Sequence, residues 1–497
     1  MEGLRIHPDR GEFDALAREW PLVPAWTELS SDVSTPVGVF PSVAKDGPGV
    51  LLESVERSER WGRYSFVAGD PAAIVSVDGS GARIDHMARD LPVDASPPGG
   101  AVHALRTIAD SLRAPHLPDL PPLTGGLVGL LTYEAAELLD GHPFPTGEEL
   151  DTPPIHLLVI DRALVFDHWK QRLLLVSHGS DYDSAAEGLE RLAEDVRTAV
   201  APEPEPVGAT VGPGGPSSFQ DDPGFKESVA RAKEHIFAGD IFQVVLSRRR
   251  SIPAPGGGLP IYRRLRLANP SPYMFFLRMP GLELAGSSPE PLVRVEGRKV
   301  TSRPIAGTYP RGADPEEDQR LERELLSDPK ERAEHAMLVD LARNDVGRVA
   351  ALGTVTPTEL MTVERFSRVM HIVSTVEGEL REDLTPVDAL AATFPAGTVT
   401  GAPKRRAMEI IRDEEHVARG PYAGAVGYVT FAGDMDFCIT LRTVVIAGGT
   451  AHVQTGAGIV ADSDPERELE ETDAKASAML AALGGAPAAA ERIGAVT

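Results

Sequence analysis

Between Ala423 and Ile459 the chain offers three apolar stretches, AGAVGYVTF, FCITLRTVVI and AHVQTGAGI, separated only by AGD and AGG turns. A parallel pair of strands needs a crossover of about a dozen residues or more, so strands joined this tightly must pair antiparallel. AAIVSVDGSGARIDH repeats the pattern upstream, as does HLLVIDRALVFDHWKQRLLLVSH, which reads as one hairpin. PYMFFLRM, LELAGSS and PLVRVEG add short strands, and GVFPSV and GVLLESVE read as strands as well. Helical periodicity marks a short N-terminal helix, HALRTIADSLR, SAAEGLERLAEDVRTAV and FKESVARAKEHIFAGD. The predicted fold class is α+β, built on large, mostly antiparallel sheets.

A chain of 497 residues exceeds one ordinary core. The Pro/Gly-rich run 201–220 has little to bury and reads as a linker between an N-terminal region, 1–200, and a second region, 221–497. Its GPGG lacks the Lys-Ser/Thr that a phosphate loop requires. In the second region IFQVVLSRRR is a strand with Gln243 on one face between Ile241 and Val245. SRPIAGTYPRG is extended, and HIVSTVEGEL is a strand opening at His371.

Two helices carry an unusual charge pattern. In SDPKERAEHAMLVDLARND, Asp328 caps and Pro329 opens the helix, and Glu331 and Glu334 lie along the face that carries Leu338 and Leu341. In DSDPERELEETDAKASAML, Asp464 and Pro465 do the same, and Glu468, Glu471 and Lys475 border the stripe Leu469, Ala476, Leu480 and Leu483. One such pair reads more readily as solvated helix surface, and Glu331 at N3 could merely close a capping box. Two pairs beside leucines weigh evenly between surface and site. Carboxylates held away from water cost several kcal/mol each without a cation among them, and a hard divalent ion with waters, Mg²⁺ first, is the natural partner.

Arg442 falls inside the apolar FCITLRTVVI, alternating with Cys438, Thr440 and Val444, where a guanidinium needs an anion from the protein or from a ligand. Gly456-Ala457-Gly458 reads as a turn whose backbone N–H groups could also hold an anion, or as plain turn geometry. Lys plus Arg total 49 against 74 Asp plus Glu, and a net charge of −25 disfavours nucleic acid. The N-terminus has no apolar targeting segment and no run has the length of a membrane span, so the expected location is cytoplasmic. The one cysteine, Cys438, reads as a small buried hydrophobe, so a glutaminase-type nucleophile is missing from this sequence.

The chain resembles the chorismate-utilising enzymes, nearest to the anthranilate synthase large-subunit branch. The resemblance rests on LLESVERSERWGRYSFVAGDP, GDIFQVVLSRR, NPSPYMFF, SSPEPLVRV, SRPIAGTYPRG, ERAEHAMLVDLARNDVGRV, MHIVS, FPAGTVTGAPKRRAMEII, GPYAGAVGYV and TGAGIVADSDPERELEET. It implies a layered α/β/β/α arrangement with helices outside. It also implies that Glu334 and Glu471 bind Mg²⁺, with Glu331 and Glu468 nearby. Ala306, Gly307, Thr308, Tyr422, Arg442, Gly456 to Gly458 and Lys475 would surround chorismate. Glu290 matches the general acid, and His371 and Thr398 match residues lining the reacting region.

Two positions separate activities within that family. Gln243 stands where water-adding relatives have a lysine base, which favours nitrogen addition. Ala306 stands where aminodeoxychorismate synthases have a nucleophilic lysine, which favours the anthranilate branch over that alternative. Glu53 and Ser54, with Pro272, Tyr273 and Met274, match a tryptophan feedback site, although LLES also reads as ordinary apolar packing. The implied partner is a glutamine amidotransferase supplying ammonia, in an assembly of two large and two small subunits. Tyr309 departs from the family pattern, which has arginine there. The alternatives are a 2-amino-2-deoxyisochorismate synthase, which stops before pyruvate loss, and a catalytically silent amino-acid sensor, which would not need the acidic helices.

Overall fold

Two antiparallel sheets stack face to face, with helices on both outer surfaces, in the computed structural model, which describes residues 4–32, 34–54, 62–93, 96–141, 150–200, 203, 217–218, 222–254, 256–365 and 369–484. Among the described residues the first sheet has twelve strands and the second eleven. In the first, Gly49–Glu53 pairs with Tyr273–Met279, and the order continues through Leu282–Ser288, Thr443–Ala447 and Thr450–Ile459 to Gln243–Pro253. The second runs from Ile305–Pro310 through Val369–Glu379, Lys299–Ser302, Pro291–Glu296, Met435–Ile439, Ala425–Thr430, Gly126–Leu131, Ile155–Ile160 and Ala73–Asp78 to Gly81–Met87, with Thr356–Arg365 also paired to Val369–Glu379. Both sheets therefore draw strands from both sides of the expected linker. Of 201–220 itself, all but residue 203 and Ser217–Ser218 lies outside the described residues.

Val50, Phe275, Leu277 and Leu284 of the first sheet meet Val128, Leu130, Leu158, Val426 and Cys438 of the second. At roughly 1.5–3 kcal/mol for each large apolar side chain buried, this layer outweighs the cost of enclosing Asp436, whose Oδ1 accepts from Tyr273 at 3.0 Å. Cys438 is buried as expected, and burial pushes its thiol well up, away from nucleophilic character.

Several local readings are corrected. GVFPSV lies in the helix Pro36–Ala44, because Thr35 accepts from Gly38 N at 3.0 Å and Pro36 supplies a helical first position. The expected single hairpin at 156–178 divides: Ile155–Ile160 belongs to the second sheet, and Arg162–Asp167 pairs with Arg172–Gly179 in the first. The chain changes sheets at Asp161, held by Arg89 at 2.7 Å. FCITLRTVVI divides likewise, into Met435–Ile439 of the second sheet and Thr443–Ala447 of the first. The break falls at Arg442, whose φ of 47° is left-handed and cannot continue a strand. Gly456-Ala457-Gly458 is no turn but the end of the strand Thr450–Ile459, opposite Ser247, Leu246 and Val245. The helices Gly258–Ala268 and Pro315–Ser327 and the strand Thr356–Arg365 had no counterpart in the sequence reading.

Candidate active site

The capping residues anchor the two acidic helices as expected. Asp328 Oδ1 accepts from Lys330 N at 2.8 Å, opening the helix Pro329–Gly347, and Asp464 Oδ1 accepts from Glu466 N at 3.1 Å, opening Pro465–Ala482. Leu338 and Val339 on one helix, and Leu469, Ala476 and Met479 on the other, are buried against the sheets. The glutamates remain half-buried or exposed beside those buried stripes. Burial raises the Glu331 carboxyl, and the charges of Glu334, Asp328 and Glu471 raise it further. Burial also raises Glu468, with Glu471 adding to the effect, while the Ser463 hydroxyl and the charges of Lys475 and Lys330 oppose it. The four carboxylates, from helices far apart in sequence, thus share one electrostatic environment. Lys475 Nζ sits among them, 2.7 Å from Glu471 Oε1 and donating to Gly456 O at 2.9 Å.

Glu290 begins the opposing wall. Its carbonyl accepts from Ile439 N at 3.0 Å, which ties it to the neighbouring strand just before the chain leaves that sheet. The side chain is buried, and burial pushes its carboxyl up to about 7 against the pull of Thr398, Lys475 and Arg442. The Thr398 hydroxyl lines the same small cavity as Glu290, is buried without a hydrogen bond among the described residues, and opposes the rise of that carboxyl. The Arg442 guanidinium has no ion pair with the described residues, and its charge reaches both Glu290 and His371.

Gly307, with φ of 64°, makes the bulge between Ala306 and Thr308 and turns its carbonyl to His371 Nδ1 at 3.0 Å. An Nδ1–H donor leaves the acceptor lone pair on Nε2, and burial keeps the ring neutral by lowering its pKa. A methyl at Gly307 would come within 3.0 Å of Glu331, so this bulge joins the histidine to the acidic helix. Thr308 pairs opposite His371 through the backbone.

The two glycines of Gly456-Ala457-Gly458 act as spacers. A Cβ on Gly456 would lie 2.5 Å from the Tyr422 hydroxyl, and one on Gly458 would lie 2.6 Å from Gln243 Nε2. Both of those side chains therefore lie across the bare backbone of one strand. Gln243 Nε2 reaches Glu334 Oε1 at 3.4 Å, while its own Oε1 is buried without a hydrogen-bond partner among the described residues. Ala457, between the glycines, is core.

The residues expected to bind tryptophan form a separate group. Glu53 and Met274 are register partners on adjacent strands. Glu53 accepts from Tyr262 at 2.6 Å and from Arg266 at 3.0 Å, and Met274 packs on the helix side of the sheet. Tyr273 faces the other sheet, Pro272 is buried, and the Ser54 hydroxyl is buried with no hydrogen-bond partner among the described residues.

Arg419, Glu415 and Ser247 escaped the sequence reading. The arginine stands alone before the apolar PYAGAVGYV, a signal of an obligatory buried partner that went unread. No helix among the described residues is long and apolar enough to cross a membrane.

A family profile for chorismate binding enzymes matches residues 67–481. The anthranilate synthase component 1 of Streptomyces coelicolor is 47% identical, over 97% of this chain and 93% of that protein. The protein of the same name from Acetivibrio thermocellus is 42% identical, over 96% and 98%. The crystal structure of anthranilate synthase component I from Streptococcus pneumoniae superposes with a TM-score of 0.74 at 34% identity, covering 91% of this chain and 98% of that one. With the family match spanning most of the sequence and the same two-sheet fold in a solved relative, the chain belongs to the chorismate-binding enzymes.

Proposed function

We propose that this chain converts chorismate and ammonia to anthranilate, pyruvate and water, as the large component of an anthranilate synthase in tryptophan biosynthesis. The observation that carries this reading is Glu290, a buried carboxyl poised near neutral pH among Thr398, Lys475 and Arg442. Chorismate has two carboxylates and a ring hydroxyl that leaves only when protonated. Arg442, Lys475 and Tyr422 suit one carboxylate. Ammonia adds at ring carbon 2, the ring double bonds shift, and the carbon 4 hydroxyl departs as water with the proton of Glu290. Loss of the carbon 2 proton and of the enolpyruvyl oxygen bond then gives pyruvate and an aromatic ring. His371, neutral and close to Arg442, is suited to accept that proton.

Mg²⁺ fits the acidic helices in part. The donors are hard carboxylate oxygens whose mutual repulsion already raises Glu331 and Glu468. Among the described residues no three such groups stand close enough to hold an ion unaided. That suits Mg²⁺, which keeps waters and takes one or two protein carboxylates with the rest from substrate. Glu334 and Glu471 would hold it, and it would supply positive charge for the ring carboxylate. Gln243, a neutral amide, cannot deprotonate water, which favours ammonia as nucleophile. The buried Cys438 cannot release ammonia from glutamine, so a glutaminase partner, two copies for two of this chain, completes the proposal. Tryptophan binding near Ser54 and Met274 would inhibit by favouring one conformer, a role supported by the buried Ser54 hydroxyl, which has no hydrogen-bond partner among the described residues.

Product analysis with chorismate, Mg²⁺ and ammonium, with and without tryptophan, tests the reading. Fluorescent anthranilate and equimolar pyruvate are expected. A non-aromatic amino acid without pyruvate would reassign the chain to a synthase that stops after addition, and no consumption of chorismate would reject the proposal.

A further inference from the structure

Arg419 is among the largest fully buried side chains, and it touches none of the residues assigned to bind chorismate through a hydrogen bond. Its guanidinium instead joins three walls of the site. Nε and Nη2 grip Glu415 at 2.8 and 2.7 Å. Nη2 also donates to Val245 O at 2.7 Å, two residues along the strand from Gln243. Nη1 donates to Val399 O at 2.8 Å, next to Thr398. The guanidinium carbon stands 5.5 Å from the centre of the Tyr422 ring.

Glu415 is fixed in turn. Its Oε1 accepts from Ser247 N at 2.7 Å and from the Ser247 hydroxyl at 3.0 Å, and that hydroxyl accepts from Gln454 at 2.8 Å. The Gln243 strand is thereby held twice, at Val245 and at Ser247, against the loop that carries Thr398. Only a planar fork of N–H donors can serve a carboxylate and two carbonyls on different segments at once, and lysine cannot.

We propose that Arg419 is a positioning residue that sets the spacing between the Gln243 strand and the Thr398 loop, and so keeps Thr398 in the cavity it lines with Glu290. The assay of turnover rests on the anthranilate-forming reading; the titration below does not. A displacement of about 1 Å at the reacting groups can cost about 100-fold in rate.

The test compares Arg419→Lys with the parent and with Arg231→Lys. Arg231 pairs with Glu414, next to Glu415 in the chain, but serves no wall of the site. Arg419→Lys is expected to lower kcat about 100-fold while Arg231→Lys leaves it unchanged. Thr398 favours the ionised Glu290, so its withdrawal should raise the pH at which Glu290 titrates. That midpoint is read without substrate, as the pH dependence of the thermal stability difference between each chain and its Glu290→Gln derivative. Should Arg419→Lys fail to fold, Glu415→Gln keeps the volume and weakens the clamp, and a smaller kcat loss with the same upward shift is expected. Unchanged kcat would overturn the inference. So would a kcat loss with an unmoved Glu290 midpoint, which assigns Arg419 to general stability. If the parent makes no anthranilate but the midpoint still moves, the positioning role stands and the reaction assignment falls.

Discussion

The side-chain amide of Gln243 points its Nε2 at Glu334 Oε1, 3.4 Å away, and leaves its Oε1 buried without a hydrogen bond to any described residue. The position expected to choose between nucleophiles therefore adjoins a carboxylate expected to hold the metal. An amide here donates to Glu334 and adds no charge, so the acidic edge stays available to a cation.

Gly458 keeps that amide in place. In Gly458→Ala the new methyl would lie 2.6 Å from Gln243 Nε2, the far end of a flexible side chain that can swing away. Thermal stability should fall only slightly, while ammonium-dependent kcat/KM drops about tenfold, equivalent to about 1.4 kcal/mol. Steady-state kinetics beside a melting curve check this, and full activity would show that the amide needs no fixed position.

Glu290 makes stability depend on pH in a known direction. Its usual value is 4.5 and burial raises it to about 7 in the folded chain. Between those values the folded state keeps a proton that the unfolded state has released, so stability falls as pH rises across the window. The loss amounts to about 3 kcal/mol at one pKa unit per 1.36 kcal/mol. Glu290→Gln should match the parent at pH 4 and melt higher at pH 8, while losing about 100-fold or more in turnover. In the parent, kcat/KM should decline above about pH 7 as the acid ionises. A Glu290→Gln chain melting below the parent at pH 8 would contradict the buried-acid assignment.

The carboxylate edge predicts a metal response. Burial and mutual repulsion raise Glu331 and Glu468, so a divalent cation that binds the folded chain should stabilise it, and more so as these groups ionise with rising pH. Glu334→Gln and Glu471→Gln should each abolish Mg²⁺-dependent turnover with ammonium and erase the Mg²⁺-induced rise in melting temperature. Near-normal turnover in either variant would remove that residue from the metal site.

Ser54 offers a clean test of the proposed feedback site. Its hydroxyl has no hydrogen-bond partner among the described residues, so Ser54→Ala should leave melting temperature unchanged or slightly higher. Half-inhibition by tryptophan should need about tenfold more effector, a change of about 1.4 kcal/mol in binding, with basal activity intact. Met274→Thr should weaken inhibition as well, but at a stability cost of about 1–3 kcal/mol because that side chain is core. Inhibition curves that superpose on the parent would place the effector elsewhere.

Much of the candidate site's local structure was legible because it is written in local patterns. Asp328-Pro329 and Asp464-Pro465 announce helix starts through a side-chain cap and a fixed φ, both properties of neighbouring residues. The Glu-x-x-Glu spacings put each acidic pair on one helix edge by periodicity alone. GVFPSV misled because its apolar residues suit a strand, and the preceding Thr-Pro, a stronger helix signal, went unweighed.

Sequence by itself determined the antiparallel sheets, the acidic helix edges and the single inert cysteine, since turn length, helical period and composition are short-range quantities. Tertiary structure decided which edges meet. FCITLRTVVI runs unbroken as a pattern, yet it crosses between sheets at Arg442 because each half finds a different neighbour, Pro291–Glu296 in one sheet and Leu282–Ser288 in the other. The same crossing sets Arg442 near Glu290, and the raised Glu290 carboxyl depends on burial by segments remote in the chain. Desolvation and charge proximity are sums over spatial neighbours, and no local stretch of residues contains them.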